Sequence, residues 1–225
     1  MTDEEDQDIV EFDNSSNPKK ILKLFPYIMN KFLASRLKID TDALHYITVR
    51  DYSVKINNII IELLDKIKLK PENCIITDTT ACVGGNAISF AQIFKYVYAI
   101  EINKKRTEFL KNNIDVYNLT NINVIHNNFL KEIDKIKDHN IVFIDPPWGG
   151  KNYKDIENLK LSISNIPLEN IIKDLIDLTK MAKIPELIVL KLPTNYDIKH
   201  FYDNFNNKDI YYYNLEKMLI LGIIV

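Results

Sequence analysis

Of the five glycines in this 225-residue chain, four fall in two adjacent pairs, Gly84-Gly85 and Gly149-Gly150, and the one tryptophan, Trp148, stands directly before the second pair. A single glycine pair is ordinarily a turn, but rare residues gathered at two points ask for more than packing. The second cluster, Asp145-Pro146-Pro147-Trp148, has the parts to hold a planar amino group carried by an aromatic base. Two prolines restrict the backbone, so that the Asp145 carboxylate and the Pro146 carbonyl can converge as acceptors on the two hydrogens of one amine. The indole of Trp148 offers a stacking face to the base itself. Such an amine is a weak nucleophile, because its lone pair is delocalised into the ring. Two acceptors favour its pyramidal form and free the lone pair for in-line attack.

The first cluster, Asp78-Thr79-Thr80-Ala81-Cys82-Val83-Gly84-Gly85-Asn86, precedes a helical segment. Glycine there lets backbone amides approach a ligand, and a helix start favours an anionic group. The loop lacks the G-x-G-x-x-G spacing of a dinucleotide site and the G-K-[ST] of a triphosphate loop, so a different small cofactor with an anionic end is indicated. Glu101 follows Asp78 by 23 residues at the end of the apolar run YVYAIEI, where a carboxylate can accept from both hydroxyls of a ribose. Asn128 and Phe129 place an amide and an aromatic ring where an adenine would lie.

These residues need a scaffold that brings strand ends together. After Pro71 the chain alternates short β-rich runs with helical ones: strands at 74–78, 96–102, 122–126, 140–145, 186–192, 209–215 and 217–225, and helices near 85–95, 104–115, 129–137, 166–182 and 195–206. Alternation of that length means βαβ units and a parallel sheet covered on both faces. The last two strands leave no room for a helix and must form an antiparallel hairpin. The expected fold is therefore α/β and doubly wound, a seven-stranded, mostly parallel sheet with a final antiparallel strand. In such sheets ligands sit beyond the carboxyl ends of the strands, which is where both clusters fall. Ahead of the sheet, residues 18–70 read as a helical N-terminal layer, with one helix over about 51–68. Residues 1–17 read as a disordered acidic tail.

Seven carboxylates and no basic residue lie in residues 1–13, which leaves 29 Lys and Arg against 24 Asp and Glu in the remainder. That surplus is compatible with a nucleic-acid partner without requiring one. Two cysteines are too few for a disulfide framework, and no Cys/His spacing suggests a metal. With no apolar stretch of membrane-spanning length and no signal-peptide pattern, the expectation is a soluble intracellular protein, of cytoplasm or nucleus, and a monomer.

Taken together, the glycine loop, the acidic end of the second strand and the D-P-P-W sequence resemble the class I S-adenosylmethionine-dependent methyltransferases that modify exocyclic amines, which have a Rossmann-like fold. Within these, CVGGN at 82–86, KNNIDVY at 111–117 and PPWGG at 146–150 with Tyr153 are similar to the trimethylguanosine synthase family, over roughly residues 34–225. The resemblance implies S-adenosylmethionine as cofactor, held by Asp78, Cys82, Gly84, Gly85, Asn86, Glu101, Asn128 and Phe129. It implies capped RNA as partner, with Asp145, Pro146 and Trp148 at the reacting guanine, Asn113 at its edge, and Tyr153, Thr48 and Asn195 as further substrate contacts. The product would be 2,7-dimethylguanosine, or 2,2,7-trimethylguanosine after a second transfer.

The chain departs from that pattern at several positions. Cys82 stands where the family usually has glycine, Asn128 where it has aspartate, and Thr194 where it has arginine in L-P-R-N, a lost phosphate clamp that Lys151 or Lys191 would replace. Other readings stay open: an N6-adenine or ribosomal-RNA guanine-N2 methyltransferase with the same motif order, or a catalytically inactive cap-binding subunit.

Overall fold

A computed structural model describes residues 9–13 and 18–225. Its centre is a seven-stranded sheet built from β1 (Ile75–Asp78), β2 (Tyr96–Glu101), β3 (Ile122–His126), β4 (Ile141–Ile144), β7 (Leu187–Leu192), β8 (Asp209–Asn214) and β9 (Leu219–Ile224), in the order β3-β2-β1-β4-β7-β9-β8. β3, β2, β1, β4 and β7 run parallel, and β9 inserts antiparallel between β7 and β8. β4 and β7 are buried throughout, as strands covered on both faces must be, and consist of aliphatic residues with two exceptions, Phe143 and Lys191.

Alternate residues of these strands serve two cores. Ile76, Ile141, Phe143, Leu187 and Val189 face one, and Val142, Ile144, Ile188 and Leu190 face the other. The first core is shared with the N-terminal layer, α1 (Pro18–Leu24), α2 (Lys31–Ala34), α3 (Ala43–Tyr46) and α4 (Arg50–Lys66), through Ile21, Phe25, Ile56, Ile60 and Leu63. α5 (Gly85–Ala91) and α6 (Lys104–Val116) pack on the same side, and α6 starts where the Asn103 side chain accepts from the Arg106 amide at 3.0 Å. The layer is thus continuous with the sheet's core. A bidentate ion pair from Arg106 to buried Asp40, at 3.1 Å to each oxygen, ties the two together.

Several expectations are corrected. The tail expected to be disordered through residue 17 is ordered at 9–13: Phe12 donates its amide to Ile39 (2.8 Å), Val10 accepts from Thr41 (3.1 Å), and Ile9 and Phe12 pack on the core. Residues 1–8 and 14–17 lie outside the described residues. No α-helix forms over 129–137; two 3₁₀ turns, Phe129–Lys131 and Ile133–Lys135, take its place. Local side-chain bonds compete with the helix there, since Asn128 accepts from the Leu130 amide and Asn127 donates to Glu132. The helix expected over 166–182 is α7 (Leu168–Leu175), preceded by a small hairpin of β5 (Ser162–Ile163) and β6 (Ile166–Pro167). Its turn residues Ser164 and Asn165 sit at φ 51° and 63°, the left-handed pair that a two-residue hairpin requires. α8 (Ile198–Asn204) is shorter than expected because Asp197 caps it, accepting from the His200 amide at 2.9 Å.

At Gly222 of β9 the layer packs directly on the sheet: a Cβ there would lie 2.3 Å from Cδ1 of the buried Leu63. Gly222→Ala should destabilise the fold by about 1–3 kcal/mol through overpacking. Leu63→Ala alone should cost about 2–5 kcal/mol. In urea melts the double variant should cost less than the two added; strict additivity would show that the two residues do not press on one another.

Candidate active site

The carboxyl ends of β1, β2 and β4 and the loop after β3 converge on one edge of the sheet, and β7 contributes a lysine beside them. The loop between β1 and α5 is laced to both neighbouring strands: Thr79 donates its amide and its hydroxyl to the Phe143 carbonyl, each at 3.0 Å, and the Ala81 amide donates to Ile100 at 2.9 Å. Thr80 accepts from the Asp145 amide at 3.1 Å, so the glycine loop and the D-P-P-W segment are joined directly.

Cys82 takes φ 49° and Gly84 φ 102°. The left-handed conformation at Cys82 is what a family glycine would adopt freely, and the cysteine adopts it at a cost of about 1–2 kcal/mol. Its amide donates to Glu101 at 2.8 Å, which offsets the strain. A Cβ on Gly84 would lie 2.7 Å from Leu110, and one on Gly85 would lie 2.7 Å from Ile47, so both glycines are required by what packs behind them. Burial, and next the charge of Glu101, push the Cys82 thiol up and disfavour its thiolate.

Asp78 is buried, and its Oδ2 has no hydrogen-bond partner; Oδ1 accepts from the Thr80 amide at 3.3 Å. Burial pushes its carboxyl up to about 7; the Thr80 bond and the charge of Lys191 oppose the shift, and the charges of Asp145 and Glu101 add to it. Glu101 is also buried and raised, chiefly by desolvation, although it accepts from the amides of Cys82 and Asn103 at 2.8 Å each. Each of its oxygens keeps a second lone pair for a further donor. An orphaned buried carboxylate oxygen calls for a cation, and a pair of spare acceptors at the next strand suits a diol. The α-amino acid and ribose ends of S-adenosylmethionine supply those groups, so the residues fit that cofactor.

Asp145 follows β4 with its side chain 16% exposed, and Lys191 of β7, 6% exposed, places Nζ 2.6 Å from Oδ2. Burial raises the Asp145 carboxyl and the Lys191 charge pulls it back down. The same ammonium lies 4.9 Å from the centre of the Trp148 ring, and Tyr153 meets that indole edge-on at 5.3 Å and 70°. Trp148 Nε1 is buried without a partner, and Pro146 is buried while Pro147 is exposed. Lys191, expected as a phosphate clamp, is thus engaged by Asp145 and Trp148, whereas the Lys151 side chain lies outside the described residues. Its signal in the sequence was a charged residue inside ELIVLKL.

Other expected site residues take supporting places. Asn113 is fully buried in α6, and its amide is saturated: it accepts from the Lys38 and Asn112 nitrogens and donates to the Lys38 and Val83 carbonyls. It cannot also read a guanine edge, and instead holds the glycine loop from behind. Thr48 also meets the glycine loop from the layer: its buried hydroxyl accepts from Asn86 at 3.1 Å, while Asn86 accepts from Ser53 at 3.3 Å. Both Asn86 and Thr48 fasten α5 to the N-terminal layer. Asn195 spends its amide hydrogens on the Tyr153 and Ile156 carbonyls at 2.7 Å, which positions the loop bearing Tyr153. Asn128 is shared between Leu130 and Ser164, and the Phe129 ring is buried in the second core.

Among the described residues no group of three His, Cys, Asp or Glu is placed to hold a metal ion, and no helix is long and apolar enough to cross a membrane.

Residues 73–218 match the model of a family described as RNA cap guanine-N2 methyltransferase. An uncharacterized protein of Acanthamoeba polyphaga mimivirus is 34% identical, over 89% of this chain and 83% of its own. Trimethylguanosine synthase of Saccharomyces cerevisiae is 28% identical over 82% of this chain; the match spans 59% of the yeast protein's length. Among solved structures, a precorrin-6y C5,15-methyltransferase of Geobacter metallireducens shares the fold with a TM-score of 0.54 at 16% identity, covering 80% of this chain and 90% of that one. The chain belongs to the RNA cap guanine-N2 methyltransferase family and is an S-adenosylmethionine-dependent methyltransferase.

Proposed function

We propose that the protein transfers a methyl group to the exocyclic N2 amine of a 7-methylguanosine RNA cap, giving 2,7-dimethylguanosine and, on a second transfer, 2,2,7-trimethylguanosine. The observation that carries this reading is the grouping of Asp145, Pro146 and Trp148, a carboxylate and a carbonyl beside an indole half-open to solvent. The family membership supports it.

S-adenosylmethionine, when bound, supplies the electrophilic methyl of its sulfonium. Asp78 would hold its ammonium, Glu101 its ribose hydroxyls, and the segment at Asn128 and Phe129 its adenine. Asp145 Oδ1 and the Pro146 carbonyl would hold the two hydrogens of the substrate amine, since Lys191 already engages Oδ2. They favour the pyramidal nitrogen, and Asp145 or water takes the proton that leaves. Trp148 would stack on the base; a 7-methylated guanine is cationic and gains about 0.5–2 kcal/mol from that face over a neutral one. The guanine of a cap is terminal, so no duplex need be opened. Most of the acceleration then comes from position.

The direct test offers labelled S-adenosylmethionine with a 7-methylguanosine cap analogue, an unmethylated cap analogue and an adenine-containing RNA, with products identified by mass. Label confined to the 7-methylated cap is expected. Label on adenine would replace this reading with N6-adenine methylation, and cofactor binding with no product on any acceptor would leave a binding subunit.

Asp145→Ala should lower kcat by about a hundredfold, the scale of one lost transition-state hydrogen bond, with cofactor affinity retained in calorimetry. Trp148→Ala should raise KM for the capped acceptor about tenfold or more, the value of one stacked base. A third expectation concerns pH. A cationic ammonium needs Asp78 ionised, and its carboxyl lies near 7 in the free protein. Cofactor affinity should therefore fall as pH drops through 7, approaching tenfold per unit below it. Because that value is raised from 3.8, the contribution of Asp78 to the stability of the cofactor-free fold is full at acid pH and is lost as pH rises from about 3.8 to about 7. Affinity that does not change between pH 6 and 8 would remove Asp78 from the cofactor site.

A further inference from the structure

Lys191 is the one charged residue of β7, a strand otherwise built from leucine, isoleucine and valine. It lies opposite Ile220 of β9 and next to the end of β4, so its neighbours along the sheet are apolar on one side and Asp145 on the other. An ammonium taken this far from water needs a strong partner, and it has two: Asp145 Oδ2 at 2.6 Å and the Trp148 ring at 4.9 Å. Ordinary packing would place an aliphatic residue here.

We propose that Lys191 is a positioning residue for the transfer, which keeps Asp145 ionised and turned so that one carboxylate oxygen remains for the substrate amine. The proposal rests on the reading of Asp145 as the acceptor of that amine. Asp78 from β1 and Lys191 from β7 act on Asp145, Glu101 from β2 acts on Asp78 in turn, and among the described residues Lys191 is the cation that acts on both Asp78 and Asp145. Without that cation, Asp145 becomes a buried carboxylate beside Asp78, and takes up a proton at a pH where the native group is charged. A protonated Asp145 presents a donor where the amine needs an acceptor. The same ammonium fixes the carboxylate against the indole, so that the acceptor and the stacking face are set relative to one another before substrate arrives.

The test compares Lys191→Met and Lys191→Arg with the native protein in pH profiles of kcat on the 7-methylated cap analogue at saturating cofactor, where Asp78 is held ionised by its ligand. The acidic limb of the methionine variant should move up by about one pH unit or more, the usual effect of one close charge, with activity returning as pH rises. The arginine variant should restore the native limb. A second readout needs neither cofactor nor a variant at Lys191. In an Asp78→Asn protein, which lacks the neighbouring group that itself titrates near 7, labelled with ¹³C at aspartate carboxyls, the Asp145 signal, identified by its loss on adding Asp145→Asn, should show no titration between pH 6 and 8. In Lys191→Met, where Asp145 is expected to take up a proton at higher pH, the fluorescence of Trp148, the single tryptophan, should follow that protonation. A methionine variant with the native profile, a loss equal at all pH values, or an Asp145 carbon that titrates near neutrality in the Asp78→Asn protein would overturn the proposal. A native protein that methylates no cap analogue would overturn the functional reading instead, and the carbon titration would still decide the state of Asp145.

Discussion

Three carboxylates, Asp78, Glu101 and Asp145, are withdrawn from water along one edge of the sheet, and the rest of the structure is arranged around the cost of keeping them there. Each has a different compensation. Glu101 accepts two backbone amides, Asp145 has a lysine, and Asp78 has one amide and an orphaned oxygen. The least compensated group is the one suited to a cationic ligand, as expected where stability has been given up locally for binding. Glu101 needs no further cation to be tolerable, which suits it to neutral hydroxyls. The gradation runs across adjacent strands, so one extended ligand can read it.

The strands and their order of appearance were legible because buried parallel strands are written as short aliphatic runs, and these are. The glycine loop and D-P-P-W were legible because rare residues were concentrated there. The polar residues behind the site were not. Asn113, Asn86, Thr48 and Asn195 lie in or beside the motifs, and motif logic assigns them to ligands. In the fold each is engaged by another element: Lys38, Asn112 and Val83 saturate Asn113, Ser53 and Thr48 bond Asn86, and the carbonyls of the Tyr153 loop take both amide hydrogens of Asn195. A linear pattern shows that a residue matters and does not show which side of a loop it supports. The turns at 129–135 were missed for a related reason, since apolar spacing suited a helix while Asn127 and Asn128 accept locally from the amides of Asn128 and Leu130.

Cys82 shows how a departure from family pattern is to be weighed. Its φ of 49° is the one a glycine would take, so the backbone of the loop is retained and the change is a side chain added to it. That side chain is half-buried, and its amide keeps the bond to Glu101 that closes the loop on β2. The substitution costs conformational energy and leaves the cradle's shape in place. Asn128 differs in kind, because it removes a charge where the family has one. Its carbonyl still caps the following turn, and its amide nitrogen reaches Ser164 in the β5–β6 hairpin, a contact that a carboxylate could make only by accepting.

The N-terminal layer makes the site two-sided. Thr48 and Ser53 hold Asn86 at the start of α5, the Lys38 backbone holds Asn113 under Val83, and Asp40 holds Arg106 at the start of α6. All three attachments meet the loop that carries Gly84 and Gly85 or the helices flanking it, and none meets Asp145 or Trp148. The cofactor half of the site is therefore braced by the layer, whereas the amine-holding half is braced by β7 through Lys191 and by Asn195. The link between the halves is the bond from the Asp145 amide to Thr80, backed by the two bonds from Thr79 to Phe143. A transfer between two ligands depends on the distance between their reacting atoms, and with the proposed ligands in place that distance would be set by the β1–β4 pairing at the centre of the sheet.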